Sequence, residues 1–184
     1  VQVVGVETEG AETMTSALSY ALSGHLVLAT MHANNSYHAL SRIMSFYTPE
    51  ARPALLADLG AGLRAIVSQR LLRATAGGRI PAVEVMFNTK LVSEMIEQGD
   101  FSGIREAMEK SMAEGSQTFE QDIARLITAG TVTREEGLAF ADSPTNLMWR
   151  LQNDMTPISR LTPKAEESEE GASFTEIMFD APRE

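Results

Sequence analysis

Residues 24–35 read GHLVLATMHANN. The run LVLATM over 26–31 is short and nearly unbroken in its apolar character, the pattern of a strand buried on both faces of a parallel sheet. The chain then turns polar at His32, with Asn34 and Asn35 close behind. In an open α/β sheet the loop leaving the carboxyl end of a strand is where ligands gather, because strand ends and helix N-termini converge there. An imidazole followed by two amides can donate hydrogen bonds to an anion, which the neighbouring alanines cannot. The same residues also suit a plain turn that caps a helix starting near Ser36. Pattern alone leaves both readings open.

Working outward, VQVVGV over 1–6 reads as a strand with Glu7 at its end, and residues 11–23 read as a helix. Met14, Ala17, Leu18, Ala21 and Leu22 share one face of that helix, and Gly24 stops it. After the His32 loop comes a helix with Leu40, Ile43 and Met44 facing inward. Strand, helix, strand, helix in succession implies a parallel sheet with crossover helices. Thr48-Pro49-Glu50 reads as a helix start, and the stripe Leu55, Leu56, Leu59, Leu63, Ile66 and Val67 carries the helix to about Gln69. Strands over 70–73 and 79–87, around the turn Ala76-Gly77-Gly78, are expected to complete the sheet.

From Thr89 onward the pattern is helical. Gly99, Gly115 and Gly130 follow amphipathic runs as left-handed stops. Thr118 with Gln121, and Thr133 with Glu136, have capping-box spacing. Ser143-Pro144 opens a last short helix with Trp149 as its expected anchor. The expected division is an α/β part over 1–88, a small all-helical domain over 89–153 and an acidic tail over 154–184. The tail loses the apolar period, carries Glu166, Glu167, Glu169 and Glu170, and is expected to be disordered. Its end, 174–179, with Ile177, Met178 and Phe179, is apolar enough for a short docking peptide, though simple disorder is the preferred reading.

With 184 residues, 43% hydrophobic and 22% charged, the composition is that of a globular protein. There is no cysteine, which excludes disulfides and thiolate zinc sites. No apolar run approaches the ~20 residues of a membrane-spanning helix. The chain opens on Val1, no signal peptide is read there, and a cytoplasmic location is expected. A net charge of −10 argues against a nucleic-acid partner.

GHLVLATMHANN followed by the Ala-Leu-x-Arg-Ile run at 39–43 resembles the histidine box of the secretion-superfamily ATPases, in their pilus-retraction (PilT/PilU-type) branch. The likeness continues in order through LRAIVSQRLL (63–72), GGRIPAVEVMFNTKLVSEMIEQGDF (77–101) and GSQTFEQDIARLITAG (115–130). It covers residues from about 12 to 154. The resemblance implies an α/β fold: the C-terminal half of a RecA-like P-loop ATPase core with a parallel sheet, followed by the small all-α domain. It implies ATP and Mg²⁺ as cofactors, a homo-hexamer of motor subunits, and an inner-membrane pilus platform protein as partner. The location implied is cytoplasmic, peripheral to the inner membrane at the pilus base.

On the same resemblance, Glu7 matches the acidic residue of the Walker B segment, which orders magnesium and its waters. The catalytic pair implied is Glu7 and His32, the latter approaching the γ-phosphate. His25 matches the other histidine of the box and is expected to brace it. Arg42 suits a salt bridge holding its helix or a contact with a neighbouring subunit. Gln69 and Arg70 fall in the QRL segment, as packing or bracing groups behind the nucleotide. LVSEMIEQGDF lies where retraction motors carry a movement-transmitting motif, with Leu91, Met95 and Ile96 expected in the core and Glu94 and Glu97 outside.

Two features depart from the pattern. No G-x-x-x-x-G-K-[ST] occurs, so the backbone nest and lysine that cradle phosphates are missing from this sequence, and the chain alone is not expected to hydrolyse ATP. Where the family reads Gly-Glu-Ile-Arg-Asp, this chain reads Val6-Glu7-Thr8-Glu9-Gly10, putting a negative charge in place of a positive one. Glu9 opposes a polyphosphate unless its side chain points away. The competing readings are a type II secretion or pilus-assembly ATPase, disfavoured by the missing four-cysteine module, and a non-catalytic module that joins a ring of intact subunits.

Overall fold

The computed structural model describes residues 3–110 and 113–153, so the expectations for the tail lie outside the described residues. Strands β1 (Val3–Glu7) and β2 (Leu26–Thr30) pair in parallel across helix α1 (Ala11–Leu22), with Val3 opposite Leu26 and Glu7 opposite Thr30. Gly24 takes φ 93° and lets the chain leave α1 and turn into β2. Met14, Ala17 and Leu18 are the buried residues of the helix.

β2 is not buried on both faces. Val27 is half-buried, whereas Leu26 and Leu28 are 48% and 59% exposed. The reason is the size of the layer: among the described residues this sheet has two strands, with α1 packed on it. Side chains that alternate to the other face, Val3 among them, meet no covering element.

Helices α2 (Ser36–Ser45) and α3 (Arg52–Gly62) follow. The helix expected from Thr48 to Gln69 is shorter at both ends: it starts after a turn at 49–51 and stops at Gly62. Asn88 donates its amide to the Gly60 and Leu63 carbonyls at 2.8 and 3.0 Å, satisfying acceptors freed at that helix end. Ala65 then opens β3 (Ala65–Arg73), antiparallel to β4 (Arg79–Phe87) from Ala65↔Phe87 to Arg73↔Arg79. Ile66 and Val67 fit a helical stripe by spacing, but their β-branched side chains favour the extended chain. Val67 ends on the outer face, 68% exposed.

This hairpin does not complete the parallel sheet; among the described residues it forms a two-stranded sheet of its own. The far edge of β4 is met by a loop. Val85 and Gln117 exchange backbone hydrogen bonds of 2.9 and 3.0 Å, and the Val83 N–H donates to Asp122 Oδ2 at 2.8 Å. Gln117 and Asp122 thereby close an edge that would otherwise invite strand pairing.

The rest is helical, as expected: α4 (Lys90–Gln98), α5 (Ile104–Lys110), α6 (Phe119–Thr128), α7 (Arg134–Phe140) and α8 (Pro144–Asn153). Gly99, Gly115 and Gly130 all have positive φ. The Thr118–Gln121 capping box is complete, whereas Thr133 caps Glu136 and the Glu136 carboxylate turns instead to the Arg73 N–H at 2.8 Å. Two expected anchors change. Leu147, fully buried, holds α8 while Trp149 is 62% exposed, and Val92 takes the core position in α4 while Leu91 is 49% exposed. In each case the packing partner sits on the adjacent helical stripe, a choice that period alone cannot make.

The hairpin joins two cores. Met86 enters one with Leu18, Leu40, Leu59, Ile96 and Ile104, and Leu72 and Ala82 enter the other with Phe119, Ile123 and Leu147. No helix among the described residues is long and apolar enough to cross a membrane.

Candidate functional site

The parallel register places the ends of β1 and β2 side by side, Glu7 opposite Thr30. Thr8, 2% exposed, fastens them: its N–H and its hydroxyl both donate to the Thr30 carbonyl at 2.9 Å. The residues leaving the two strands therefore emerge together. Ligating atoms of Glu7, Glu9 and His32 lie within 4.8 Å of one another, and all three residues are exposed. The structure thus brings the two expected catalytic residues together and adds Glu9, whose carboxylate faces the same space rather than pointing away.

Two carboxylates beside an imidazole suit a divalent cation and its water shell, since carboxylate oxygen is the ligand magnesium takes from proteins. The imidazole can donate to an anion next to that cation. These donors fit the metal edge of a nucleotide site. The phosphate-cradling nest and lysine have no counterpart in the sequence, and Glu9 adds like charge where a polyphosphate would approach.

Behind His32 the loop is held by buried polar groups. Asn35 Oδ1 accepts from the His38 N–H at 2.8 Å and so caps α2, as the turn reading also implied. Ser36 donates both its N–H and its hydroxyl to Glu84 Oε1 at 2.8 Å. Asn35 Nδ2 donates to Asp142 Oδ2 at 3.0 Å. Asp142 Oδ1 is paired with Arg70, whose guanidinium also donates to the Asn34 carbonyl at 3.2 Å and the Phe140 carbonyl at 2.6 Å. Arg70 is thus committed to the back of the loop. Burial pushes the Glu84 carboxyl above its ordinary range; the Ser36 hydrogen bonds and Arg70 act the other way, and Asp142 adds to the rise.

The remaining expected residues stand apart. His25 lies at the opposite end of β2, with Nδ1 2.9 Å from Ser23 Oγ and its ring edge-on to Tyr20 at 5.5 Å. Arg42 is exposed on α2 with its guanidinium 5.9 Å from the Phe46 ring centroid, and it has no ion pair among the described residues. Gln69 is exposed on the outer face of β3 beside Val67 and Leu71. Sequence reasoning passed over Glu84 and Asp142. Glu84 had a signal, because it alternates with the inward Ala82 and Met86 in an otherwise apolar strand. Asp142 had none, its partners lying more than seventy residues away.

Residues 1–139 match the family described as type II/IV secretion system protein. The chain is 38% identical over 161 residues to the type IV pilus ATPase PilU of Pseudomonas aeruginosa, covering 85% of this chain and 42% of that protein. It is 27% identical over 140 residues to the type IV pilus retraction ATPase PilT of the same organism, covering 76% of this chain and 41% of the relative. A crystal structure of the pilus retraction motor PilT with bound ADP superposes with a TM-score of 0.72 at 27% identity, covering 80% of this chain and 42% of that one. The chain spans about two-fifths of the length of these relatives. By the extent of the family match, the chain belongs to the type II/IV secretion system protein family.

Proposed function

We propose that this chain is part of a twitching-motility ATPase that couples ATP hydrolysis to retraction of a type IV pilus. The observation that carries the reading is the meeting of Glu7 and His32 within 4.8 Å at the carboxyl end of a parallel strand pair. That is where an α/β sheet presents ligand-binding groups, and the relatives named above are pilus ATPases. In this reading Glu7 orders Mg²⁺ through its waters and His32 donates to the outermost phosphate. The phosphate cradle comes from sequence outside this chain, so the 184 residues alone neither bind ATP tightly nor hydrolyse it. The working unit is a homo-hexamer, cytoplasmic and docked on an inner-membrane platform protein at the pilus base.

The test is a chimera in which residues 1–153 replace the matching segment of the P. aeruginosa PilU. Its ATPase rate is expected to fall by about 10²-fold or more with His32→Ala or Glu7→Gln, as for loss of one charge-stabilising group. Rates unchanged in both variants would overturn the reading. For the isolated chain, calorimetry is expected to find no ATP binding stronger than about 100 μM; a micromolar Kd would contradict the missing cradle.

One observation favours a second reading. Glu9 shares the site with Glu7 and His32, which suits a subunit that joins a ring without contributing chemistry. Glu9→Arg in the chimera separates the two: a large gain in ATPase activity marks the parent site as degenerate.

A further inference from the structure

The His32 loop, residues 31–35, has no regular structure of its own, so its position is set by what grips it. Its entry is fixed at Thr30, the acceptor for both Thr8 donors. Its exit is fixed by groups distant in the chain. Asn34 offers its carbonyl to Arg70, Asn35 offers its amide to Asp142, and Ser36 donates twice to Glu84. Asn35 does two things at once, since its Oδ1 caps α2 and its Nδ2 reaches Asp142, and this fixes the orientation of the carboxamide.

We infer that Asp142 is a positioning residue for His32: together with Arg70 it clamps the histidine loop to the corner between α7 and α8, so that the helices set where the imidazole stands. Arg70 is suited to the part because a guanidinium is a rigid, planar fork that holds several acceptors at once. Here it spans the loop (Asn34), the corner (Phe140, Asp142) and the face of Phe119 on α6, 3.9 Å from the ring centroid. The Arg70 and Asp142 side chains are 16% and 24% exposed, so water cannot readily replace either partner. A displacement of the corner therefore takes Asp142 from Asn35 and Arg70 together, and the loop carrying His32 loses its hold. Conversely, a ligand that pulls His32 forward transmits strain to the corner through Asn34 and Asn35.

That the clamp acts on nucleotide chemistry rests on the function proposed above; the clamp itself can be read without nucleotide. The experiment uses the 184-residue chain, isotope-labelled, observed by NMR through the imidazoles of its three histidines and by amide hydrogen exchange. His32→Gln assigns the His32 signal, and His25, at the other end of β2, is the internal reference. With Asp142→Ala, the His32 imidazole resonance is expected to move while that of His25 stays. Amide exchange over 33–36 is expected to accelerate by about tenfold or more while α6 and β4 change by less than about twofold. Asp142→Asn keeps one acceptor for Arg70 and is expected to be intermediate. A folded Asp142→Ala chain with His32 and the loop amides unchanged would overturn the inference, as would equal acceleration in α6 and β4. If Asp142→Ala does not fold, Asp142→Asn is judged by the same criteria, and failure of both to fold assigns Asp142 a purely structural role. A positive result beside a chimera indifferent to His32→Ala would leave the clamp standing and the nucleotide reading fallen.

Discussion

The Arg70 guanidinium lies 3.9 Å from the centroid of the Phe119 ring, joining β3 to the first turn of α6 beside the histidine loop. A cation stacked on a buried aromatic face loses water on that side, which raises the value of hydrogen bonds along its edge. The edge is used, by Asp142, Phe140 and Asn34.

Arg70→Ala removes the stack and the charged hydrogen bonds and leaves Asp142 partly buried with only the Asn35 amide as a partner. It is expected to cost about 3 kcal/mol, read from the urea midpoint at constant m-value. Arg70→Lys recovers only part of this, because an ammonium cannot span the same acceptors.

Glu84 gives a pH dependence of definite sign. Burial raises its native pKa above the unfolded value, so the folded chain binds the proton more tightly. Its contribution is therefore full below the ordinary carboxylate range and is lost as pH rises through the raised native value. In Glu84→Gln the amide oxygen still accepts from Ser36, and no charge has to be buried. The stability of the variant relative to the parent is expected to increase from about pH 4 to about pH 8, measured by denaturant titrations across that range. A difference that falls with pH would refute this.

Gly137 allows α7 to approach α6. A Cβ there would stand 2.5 Å from Ile127 Cδ1 and 2.9 Å from Ile123 Cγ2, the latter fully buried. Gly137→Ala is expected to destabilise by about 1–3 kcal/mol through overpacking, despite alanine's better helix propensity. At Gly103 a Cβ would meet the terminal methyl of Met95, which can swing aside. Gly103→Ala should stay within about 0.5 kcal/mol of the parent in thermal or chemical unfolding.

Leu147 and Trp149 separate the anchor of α8 from its exposed neighbour. Leu147→Ala is expected to cost about 2–5 kcal/mol and Trp149→Ala less than about 0.5 kcal/mol, by the same unfolding measurement. Equal effects would restore the tryptophan as the anchor.

The parts of the fold legible in the sequence are those with local causes. Gly24 ending α1 and the Thr118–Gln121 capping box are settled by backbone conformation and by groups three or four residues apart. The crossover from β1 to β2 is legible for the same reason, a short apolar run on either side of one amphipathic helix. The stretch at 63–69 misled because Leu63, Ile66 and Val67 satisfy a helical spacing as well as a strand, and only pairing with β4 chooses between them.

Of the site, His32 stands out in the sequence because it follows an apolar run, Glu7 is singled out by the family resemblance, and parallel pairing makes them neighbours. That Glu9 faces them was not determined locally, since a side chain after a strand end can turn either way. Glu84, Arg70 and Asp142 acquire their roles only when the hairpin and the α7–α8 corner close behind the loop, because a buried charge is defined by partners far along the chain. The amino-acid order by itself determined the β1–α1–β2 crossover, the glycine stops and the Thr118–Gln121 capping box, through steric and hydrogen-bonding preferences that act within a few residues. Tertiary packing alone decided which apolar faces are covered and which polar groups hold the histidine, because burial belongs to the assembled layers and not to any one segment.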